Sequence, residues 1–276
     1  MKKYAVISLD FEDWYHLDYF NGFIVNKTDS LINEGVNNYL EILDKNEIKS
    51  NVFIVGELIK QNKELIKKII SKGHNIGAHS SKHIKPLDQN LKEFSDDALM
   101  VYNKLHHDLK IEKFGYRAPC FSLDRKRLDI IKKIGFSYDS SKISVGYHPL
   151  YGKIDTSDFK RICKNVFRKD NFYEFELSVH NFLNKKIPIS GGGYLRIIPW
   201  FIYRKLLKEY LKNNHTYFFF IHPFELTNKA IKLPSKANFI SKRRFSYGRK
   251  NNILKFDKLL NLVKNYGYEF VTFEQL

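Results

Sequence analysis

Short runs of aliphatic and aromatic residues alternate with longer amphipathic stretches along most of the chain. The short runs predict β-strands at Tyr4–Leu9, Asn51–Val55, His74–His79, Phe114–Ala118, Phe136–Asp139, Phe172–Ser178, Tyr217–His222 and Glu269–Phe273. The amphipathic stretches predict helices at Ser30–Lys45, Glu57–Lys72, Leu91–Leu109, Arg125–Ile134, Pro199–Lys212 and Ile253–Asn265.

This alternation predicts an α/β fold in which parallel strands are joined by crossover helices. The number of strand and helix units favours a barrel over an open sheet. In such barrels, polar residues at the carboxyl ends of the strands are candidate site residues. Five residues of suitable chemistry lie at predicted strand ends, namely Asp10, His79, Arg117, Asp139 and His222.

Composition indicates one domain spanning residues 1–276, because 43% of the 276 residues are hydrophobic and no linker or low-complexity tract interrupts the pattern. The first apolar run ends at Asp10, and this run is too short for a signal peptide or a membrane span. Only Cys120 and Cys163 are present, too few for a disulfide framework. We therefore expect a cytoplasmic protein, with peripheral association at the inner face of the membrane as a further possibility.

The formal net charge of +17 could indicate an anionic partner, but most of the excess is lysine spread through amphipathic helices, where a solvated face is the simpler interpretation. Residues 226–256 carry nine Lys or Arg and no acid, together with Phe239, Phe245 and Tyr247. No nucleic-acid-binding fold signature accompanies this basic, aromatic stretch. A phosphorylated substrate or a lipid headgroup is thus a better interpretation than nucleic acid.

The segment His79-Ser80-Ser81-Lys82-His83 and the acidic group Asp10, Glu12 and Asp13 together suggest a metal site. Two histidines four residues apart can face one way on a helical turn, and a carboxylate from a neighbouring strand would complete three ligands. Three ligands leave a position for water, which is typical of a hydrolase. The carboxylates could alternatively cap a helix or lie in a solvated loop.

Three further motifs carry candidate chemistry, each with a structural alternative. Arg117 precedes Ala118-Pro119 and could orient a carboxylate base, or simply form a structural salt bridge. His222 ends an apolar strand and could protonate a leaving amine, or be satisfied by a backbone carbonyl. The turn Ser190-Gly191-Gly192-Gly193-Tyr194-Leu195-Arg196 lacks a P-loop lysine and predicts a substrate-contacting loop, with Arg196 as an anion contact.

In order and type, these motifs resemble those of polysaccharide deacetylases of the NodB-homology type, carbohydrate esterase family 4. The resemblance runs from Ser8 to about Glu225, and is stronger for the branch with an Asp-x-Glu-Asp-Trp/Tyr motif and a late Gly-Gly-Gly-Tyr segment. It implies a distorted (β/α)7–8 barrel, a divalent metal, most often Zn²⁺, and hydrolysis of an N-acetyl group on an amino sugar.

The resemblance also implies roles for particular residues. Asp10 would be the catalytic base, His79 and His83 metal ligands, Arg117 the residue that orients the base, and His222 the general acid. The remaining implied site residues are Asp139 in the fourth motif and, for substrate, Pro119, Cys120, Gly192, Gly193, Tyr194 and Arg196. The third ligand stays open between Glu12 and Asp13, because many relatives have two adjacent aspartates here. A backbone N–H near Cys120 or Phe121 would stabilise the oxyanion.

The leading hypothesis is a metal-dependent N-deacetylase in cell-envelope polysaccharide or lipopolysaccharide biosynthesis. Its substrate would be a nucleotide-linked, lipid-linked or oligosaccharide amino sugar. The alternatives are a deformylase or a cyclic-amide hydrolase on the same barrel, and a noncatalytic carbohydrate-binding relative. Retention of the two histidines argues against a metal-free version.

Overall fold

A computed structural model describes residues 2–20, 23 and 29–276 of the chain. The strands are β1 Lys3–Phe11, β2 Asn51–Ile54, β3 Asn75–Ala78, β4 Tyr138–Asp139, β5 Lys160–Cys163, β6 Val166–Lys169, β7 Phe172–Phe175, β8 Val179–Phe182, β9 Lys185–Pro188, β10 Thr216–Ile221 and β11 Tyr268–Phe270. The α-helices are α1 Ile32–Asn46, α2 Lys63–Ser71, α3 Leu91–Asn103, α4 Arg125–Ile134, α5 Gly192–Ile197, α6 Trp200–Asn213, α7 Phe239–Ser246 and α8 Asn252–Asn265.

Strand β1 lies at the centre of a parallel sheet. Strand β10 pairs with it from Tyr4 to Leu9, while β11 and β2 share its other edge, at its first and last residues respectively. The sheet continues through β3, a single bridging residue at Tyr116, and then β4 and β7. This curved parallel arrangement, flanked by helices, confirms the expected α/β fold class.

The distortion lies between β7 and β10, where no regular ladder closes the ring among the described residues. Two backbone hydrogen bonds cross this gap, from Ile189 N to the Ser178 carbonyl at 3.3 Å and from Phe220 N to the Ser190 carbonyl at 2.8 Å. The antiparallel strands β5 and β6 extend the sheet beyond β7, and β8 and β9 form a separate hairpin. The irregular gap brings residues 190–197 against the end of β10.

Alternate side chains of the parallel strands fill two different cores. Phe219 and Ile221 of β10 pack outward against the helices, whereas Phe218 and Phe220 join an inner, largely aromatic cluster that includes Phe175. Within this cluster the rings of Phe175 and Phe218 meet edge to face, with centroids 5.8 Å apart. Both faces of β10 are therefore buried, which explains its unbroken apolar sequence.

Several predicted elements differ from the structure in an informative way. The predicted helix Glu57–Lys72 is split into a short 3₁₀ turn, Gly56–Leu58, and α2. The N–H groups of Gly56 and Glu57 at the start of that turn donate to the carbonyls of Ser80 and Ser81. The helix predicted to reach Leu109 changes to π-helical geometry from residue 104 onward. The β5–β6 and β8–β9 hairpins were not predicted, since their exposed residues include many lysines and arginines.

No helix among the described residues combines the length and the apolar character needed to cross a membrane. Both cysteines are free thiols.

Candidate active site

The carboxyl ends of β1, β3 and β10 open into a cavity of about 290 Å³. Asp10, Glu12, His79, His83 and His222 all line it, so the parallel sheet brings together residues that are far apart in sequence. The wall also includes Cys120, Gly193, Tyr194 and Arg196 from the predicted set.

Glu12, His79 and His83 form a group that could hold a metal ion. One potential ligand atom from each lies within 4.8 Å of the other two. The Nε2 atom of His79 is 3.7 Å from Glu12 Oε2, and His83 Nε2 contacts the same oxygen. His79 Nδ1 donates a hydrogen bond to the Arg117 carbonyl at 2.8 Å, which leaves its Nε2 lone pair directed at the cluster.

The two histidines lie on a loop rather than on the helical turn that the sequence analysis considered. Ser80 and His83 have left-handed backbone conformations, with φ of 63° and 59°. The loop is anchored from α3 by Asp97, whose carboxylate accepts hydrogen bonds from the Ser81 backbone N–H and hydroxyl. Sequence spacing identified the pair, but it did not reveal this anchor.

Asp13 lies outside this cluster, so the structure corrects the prediction that Asp13 could be the third metal ligand. A hydrogen bond from Glu12 N to the Asp10 carbonyl turns the chain so that Asp10 and Glu12 face the cavity. Asp13 instead caps the following 3₁₀ turn, its Oδ1 accepting from the N–H groups of Trp14 at 2.9 Å and Leu31 at 3.1 Å.

Two imidazoles and one carboxylate are a donor set that suits a catalytic zinc ion. Glu12 Oε2 is buried, and its near polar neighbours are the Nε2 atoms of His79 and His83, as expected for an oxygen that shares a metal ion with two imidazoles. Burial by itself raises the pKa of Glu12, but the nearby histidines outweigh it and hold that pKa well below its usual value. The carboxylate is therefore ionised at neutral pH, as metal binding requires.

Asp10 is held by Arg117 in a fully buried pair. Arg117 Nη1 donates to Asp10 Oδ1 at 2.7 Å and to the Ser8 hydroxyl at 2.8 Å. The other guanidinium nitrogens donate to Ser140, and the guanidinium lies 4.1 Å from the centroid of the Phe53 ring. Because all three guanidinium nitrogens donate hydrogen bonds, Arg117 fixes the position of Asp10.

His222 lies next to both carboxylates, because it follows β10, the strand that pairs with β1. Its Nε2 lies 3.4 Å from Glu12 Oε1 and 4.0 Å from Asp10 Oδ2, while its Nδ1 donates to Glu225 Oε2 at 3.0 Å. Burial acts to lower the pKa of His222, but the Glu225 hydrogen bond and the nearby carboxylates overcome it and raise the pKa to about 9. Arg196 donates from Nε to the other Glu225 oxygen at 3.2 Å.

Sequence reasoning missed Glu225. It occupies the third position of the short helix that begins at Pro223, and its carboxylate accepts from the His222 backbone N–H at 3.1 Å, as in a capping box. A proline followed two residues later by an acid could have signalled this arrangement. The same contact corrects the prediction that Arg196 binds an anion. Its Nε is paired with Glu225, and its Nη1 donates to three backbone carbonyls.

Three other predicted residues lie behind the cavity wall. Asp139 is fully buried and accepts two hydrogen bonds from Ser141. The Ser141 hydroxyl in turn accepts from Ala118 N. Asp139 therefore supports the loop that carries Arg117 and does not face the substrate. Pro119 is buried beside that loop and does not line the cavity. Gly192 packs against Glu225 instead, because a Cβ there would lie 2.1 Å from Glu225 Oε2.

The loop that begins at Pro119 has unusual backbone geometry beside the metal cluster. Cys120 and Phe121 both have positive φ, of 53° and 54°. Phe121 N donates to the Ala118 carbonyl at 3.0 Å, so that N–H is already engaged and only Cys120 remains of the two expected oxyanion donors. Burial strongly raises the pKa of the Cys120 thiol, which is therefore not a nucleophile at neutral pH.

Comparison with known proteins divides the chain into two matched parts. Residues 3–138 match the family described as polysaccharide deacetylase, and residues 140–276 match a domain of unknown function, DUF3473. A peptidoglycan deacetylase of Helicobacter pylori is 25% identical over 193 residues, which cover 70% of this chain and 62% of that protein. The uncharacterized protein YlxY of Bacillus subtilis is 41% identical over 98 residues, or 36% of this chain and 31% of that protein.

Solved structures share the fold at low sequence identity. A putative polysaccharide deacetylase from Mycobacterium smegmatis has a TM-score of 0.57 and 15% identity, covering 98% of this chain and 93% of that chain. A family 4 pseudoenzyme from Bacillus anthracis has a TM-score of 0.56 and 13% identity, covering 100% of this chain and 65% of that chain. The match of residues 3–138 to the polysaccharide deacetylase family confirms the resemblance that the sequence motifs predicted.

Proposed function

We propose that this protein is a metal-dependent hydrolase that removes an N-acetyl group from an amino sugar. The observation that carries the proposal is the grouping of Glu12, His79 and His83 beside Asp10 and His222. A divalent metal, most suitably Zn²⁺, would polarise the amide carbonyl and acidify a water molecule.

The chain's own residues supply the proton transfers. Asp10, oriented by Arg117, takes a proton from the attacking water. His222 donates a proton from Nε2 to the departing amine, because Glu225 holds its Nδ1 and keeps the ring protonated. The Cys120 backbone N–H is the donor that we assign to the developing oxyanion.

Both matched halves of the chain contribute to this site, which supports one functional domain over residues 1–276. Asp10, His79 and Arg117 come from the first half, whereas His222 and Glu225 come from the second. Strand β10 of the second half pairs along β1 of the first. Neither half would hold both the base and the acid alone.

We place the reaction in cell-envelope polysaccharide or lipopolysaccharide assembly, with peripheral contact to an anionic membrane surface. Helix α7 supports that contact, because Phe239 and Ile240 at its start are 74% and 68% exposed and Lys236, just before the helix, is exposed as well. Adjacent exposed apolar and basic side chains are typical of interfacial helices.

The test is release of acetate and of formate from N-acetylated and N-formylated amino sugars, with and without a chelator. We expect acetate, and loss of activity with the chelator. Asp10→Asn should reduce kcat by 10²–10⁴-fold with metal retained, because it removes general-base catalysis. His79→Ala should lose both, whereas His180→Ala, which removes a histidine paired with Glu209 outside the site, should lose neither.

The deformylase and noncatalytic alternatives give different results in the same assay. Formate in place of acetate would indicate a deformylase, and chelator-insensitive activity would contradict the metal assignment. Absence of product from every substrate, with sugar binding intact, would indicate a noncatalytic relative.

A further inference from the structure

Arg244 presents a positive charge at the mouth of the cavity. It lies near the end of α7, is solvent-exposed, and its guanidinium is 5.8 Å from the centroid of the Tyr19 ring. The Arg244 carbonyl accepts a 2.7 Å hydrogen bond from Arg196 Nη1, which also binds the carbonyls of Phe245 and Tyr247. Because Arg196 is itself buried against Glu225, the backbone that carries Arg244 is fixed relative to the proton donor.

This guanidinium has no partner of opposite charge within the part of the chain that the structure describes. Other cations beside the cavity are already paired. Arg117 binds Asp10, Arg196 binds Glu225, and Lys85 binds Asp18 at 2.9 Å. Arg244 is thus the cation in this wall that stays available to a bound molecule, and a guanidinium binds oxyanions in a bidentate manner.

Aromatic side chains surround the same end of the cavity. The rings of His148 and Tyr151 are stacked with centroids 3.7 Å apart, and Tyr19 and Tyr194 complete the wall. Burial lowers the pKa of His148, as does the charge of Arg244, so His148 is neutral at physiological pH. The wall therefore offers flat apolar surfaces for a sugar ring and one cation for an attached anion.

We infer that this end of the cavity binds a phosphate group attached to the substrate sugar, with Arg244 as its ligand. The inference rests on the proposed deacetylase function and names the substrate class. A phosphate suits the site better than a carboxylate, because residues 226–256 around Arg244 carry nine Lys or Arg and no acid. Both nucleotide-linked and lipid-linked amino sugars carry such a phosphate.

The experiment compares kcat/KM on three N-acetylglucosamine substrates: one linked to uridine diphosphate, one linked to a short polyprenyl diphosphate, and a neutral oligosaccharide. Arg244→Gln should lower kcat/KM by 10- to 100-fold on at least one diphosphate substrate, as loss of a charge-assisted hydrogen bond predicts, and by less than about twofold on the neutral one. The diphosphate substrate that is more affected identifies the source of the phosphate.

Arg243→Gln is the matched control. It removes the same charge from the residue directly before Arg244. The Arg243 guanidinium lies 5.5 Å from the centroid of the Tyr247 ring, and Arg243 does not line the cavity. Equal effects of the two variants would mean that only general surface charge matters, and this would overturn the inference. Equal loss on neutral and phosphorylated substrates with Arg244→Gln would also overturn it.

Binding separates this inference from the proposed activity. Titration calorimetry with glucosamine 1-phosphate and with glucosamine needs no turnover. Tighter binding of the phosphate form, lost in Arg244→Gln and kept in Arg243→Gln, would support the phosphate site even if no substrate released acetate. Equal affinity for the two sugars would refute the site even in an active deacetylase.

Discussion

Replacing Gly192 with alanine should disrupt the proton donor without touching it directly. A Cβ at Gly192 would lie 2.1 Å from Glu225 Oε2 and 2.6 Å from Ile221 Cγ1, far inside normal contact distances. Glu225 holds His222 Nδ1 and Arg196, so its displacement breaks both contacts. At the adjacent Gly193, the nearest atom is Glu225 Oε1 at 3.7 Å, which is an ordinary contact.

The two substitutions should therefore have opposite effects on stability. Both glycines lie in the first turn of α5, where alanine favours the helix by up to about 1 kcal/mol. Gly193→Ala should keep or slightly raise the free energy of unfolding. In Gly192→Ala, overpacking costs about 1–3 kcal/mol and disruption of a buried charged pair adds to this, so we expect a net loss of about 3 kcal/mol.

Urea unfolding followed by circular dichroism measures the stability difference, and initial rates of acetate release measure the effect on His222. We expect kcat/KM to fall at least tenfold in Gly192→Ala and to stay within twofold in Gly193→Ala. The double variant Gly192→Ala/Glu225→Gln should lose much less activity than the sum of the two single losses, because both changes remove the contact between Glu225 and His222. Equal stability of the two alanine variants, or additive losses in the double variant, would refute the reasoning.

Two further predictions concern the charged residues of the site. The folded-state pKa of His222 is raised from its ordinary value of about 6.5 to about 9, so protonated His222 stabilises the metal-free protein below pH 6.5 and this stabilisation is lost as the pH rises to about 9. Glu225→Gln should reduce the difference in the free energy of unfolding between pH 6.5 and pH 9.5, measured with urea. An unchanged difference would contradict the prediction. Zinc titration should show loss of binding in Glu12→Gln, while Asp13→Ala keeps zinc but unfolds about 1 kcal/mol more easily, because it removes a helix cap. Zinc loss in Asp13→Ala would reverse the ligand assignment.

The sequence located the site chiefly through the ends of its strongly apolar strands. Asp10 and His222 follow runs that are buried on both faces, and parallel strands place such ends together. The helix Arg125–Ile134 was also predicted at its observed bounds, because Asp124 caps its start and Gly135 ends it in the left-handed conformation. Local chemistry of this kind is legible in sequence.

Contacts between distant segments were not legible in the same way. Asp97 anchors the histidine loop from a helix surface, and nothing in its local sequence distinguishes it from a solvated acid. Glu174 is another acid whose surroundings come from a distant segment. Burial and the charge of Asp139 raise the pKa of Glu174 well above its usual range. These acids acquire their roles from tertiary packing, which the hydrophobic pattern of a single chain does not encode.

The glycine-rich turn shows that one sequence signal can have two structural causes. Its composition predicted close approach of backbone to substrate, and Gly193 and Tyr194 do line the cavity, but the structure also brings Gly191 and Gly192 close to β10 and Glu225. A Cβ at Gly191 would lie 2.9 Å from Phe220 Cζ, just where Phe220 N bonds the Ser190 carbonyl across the gap in the barrel. The next residue, Gly192, admits the Glu225 carboxylate that holds His222. The packing that spans the distorted side of the barrel therefore also positions the proton donor, and both depend on residues without side chains.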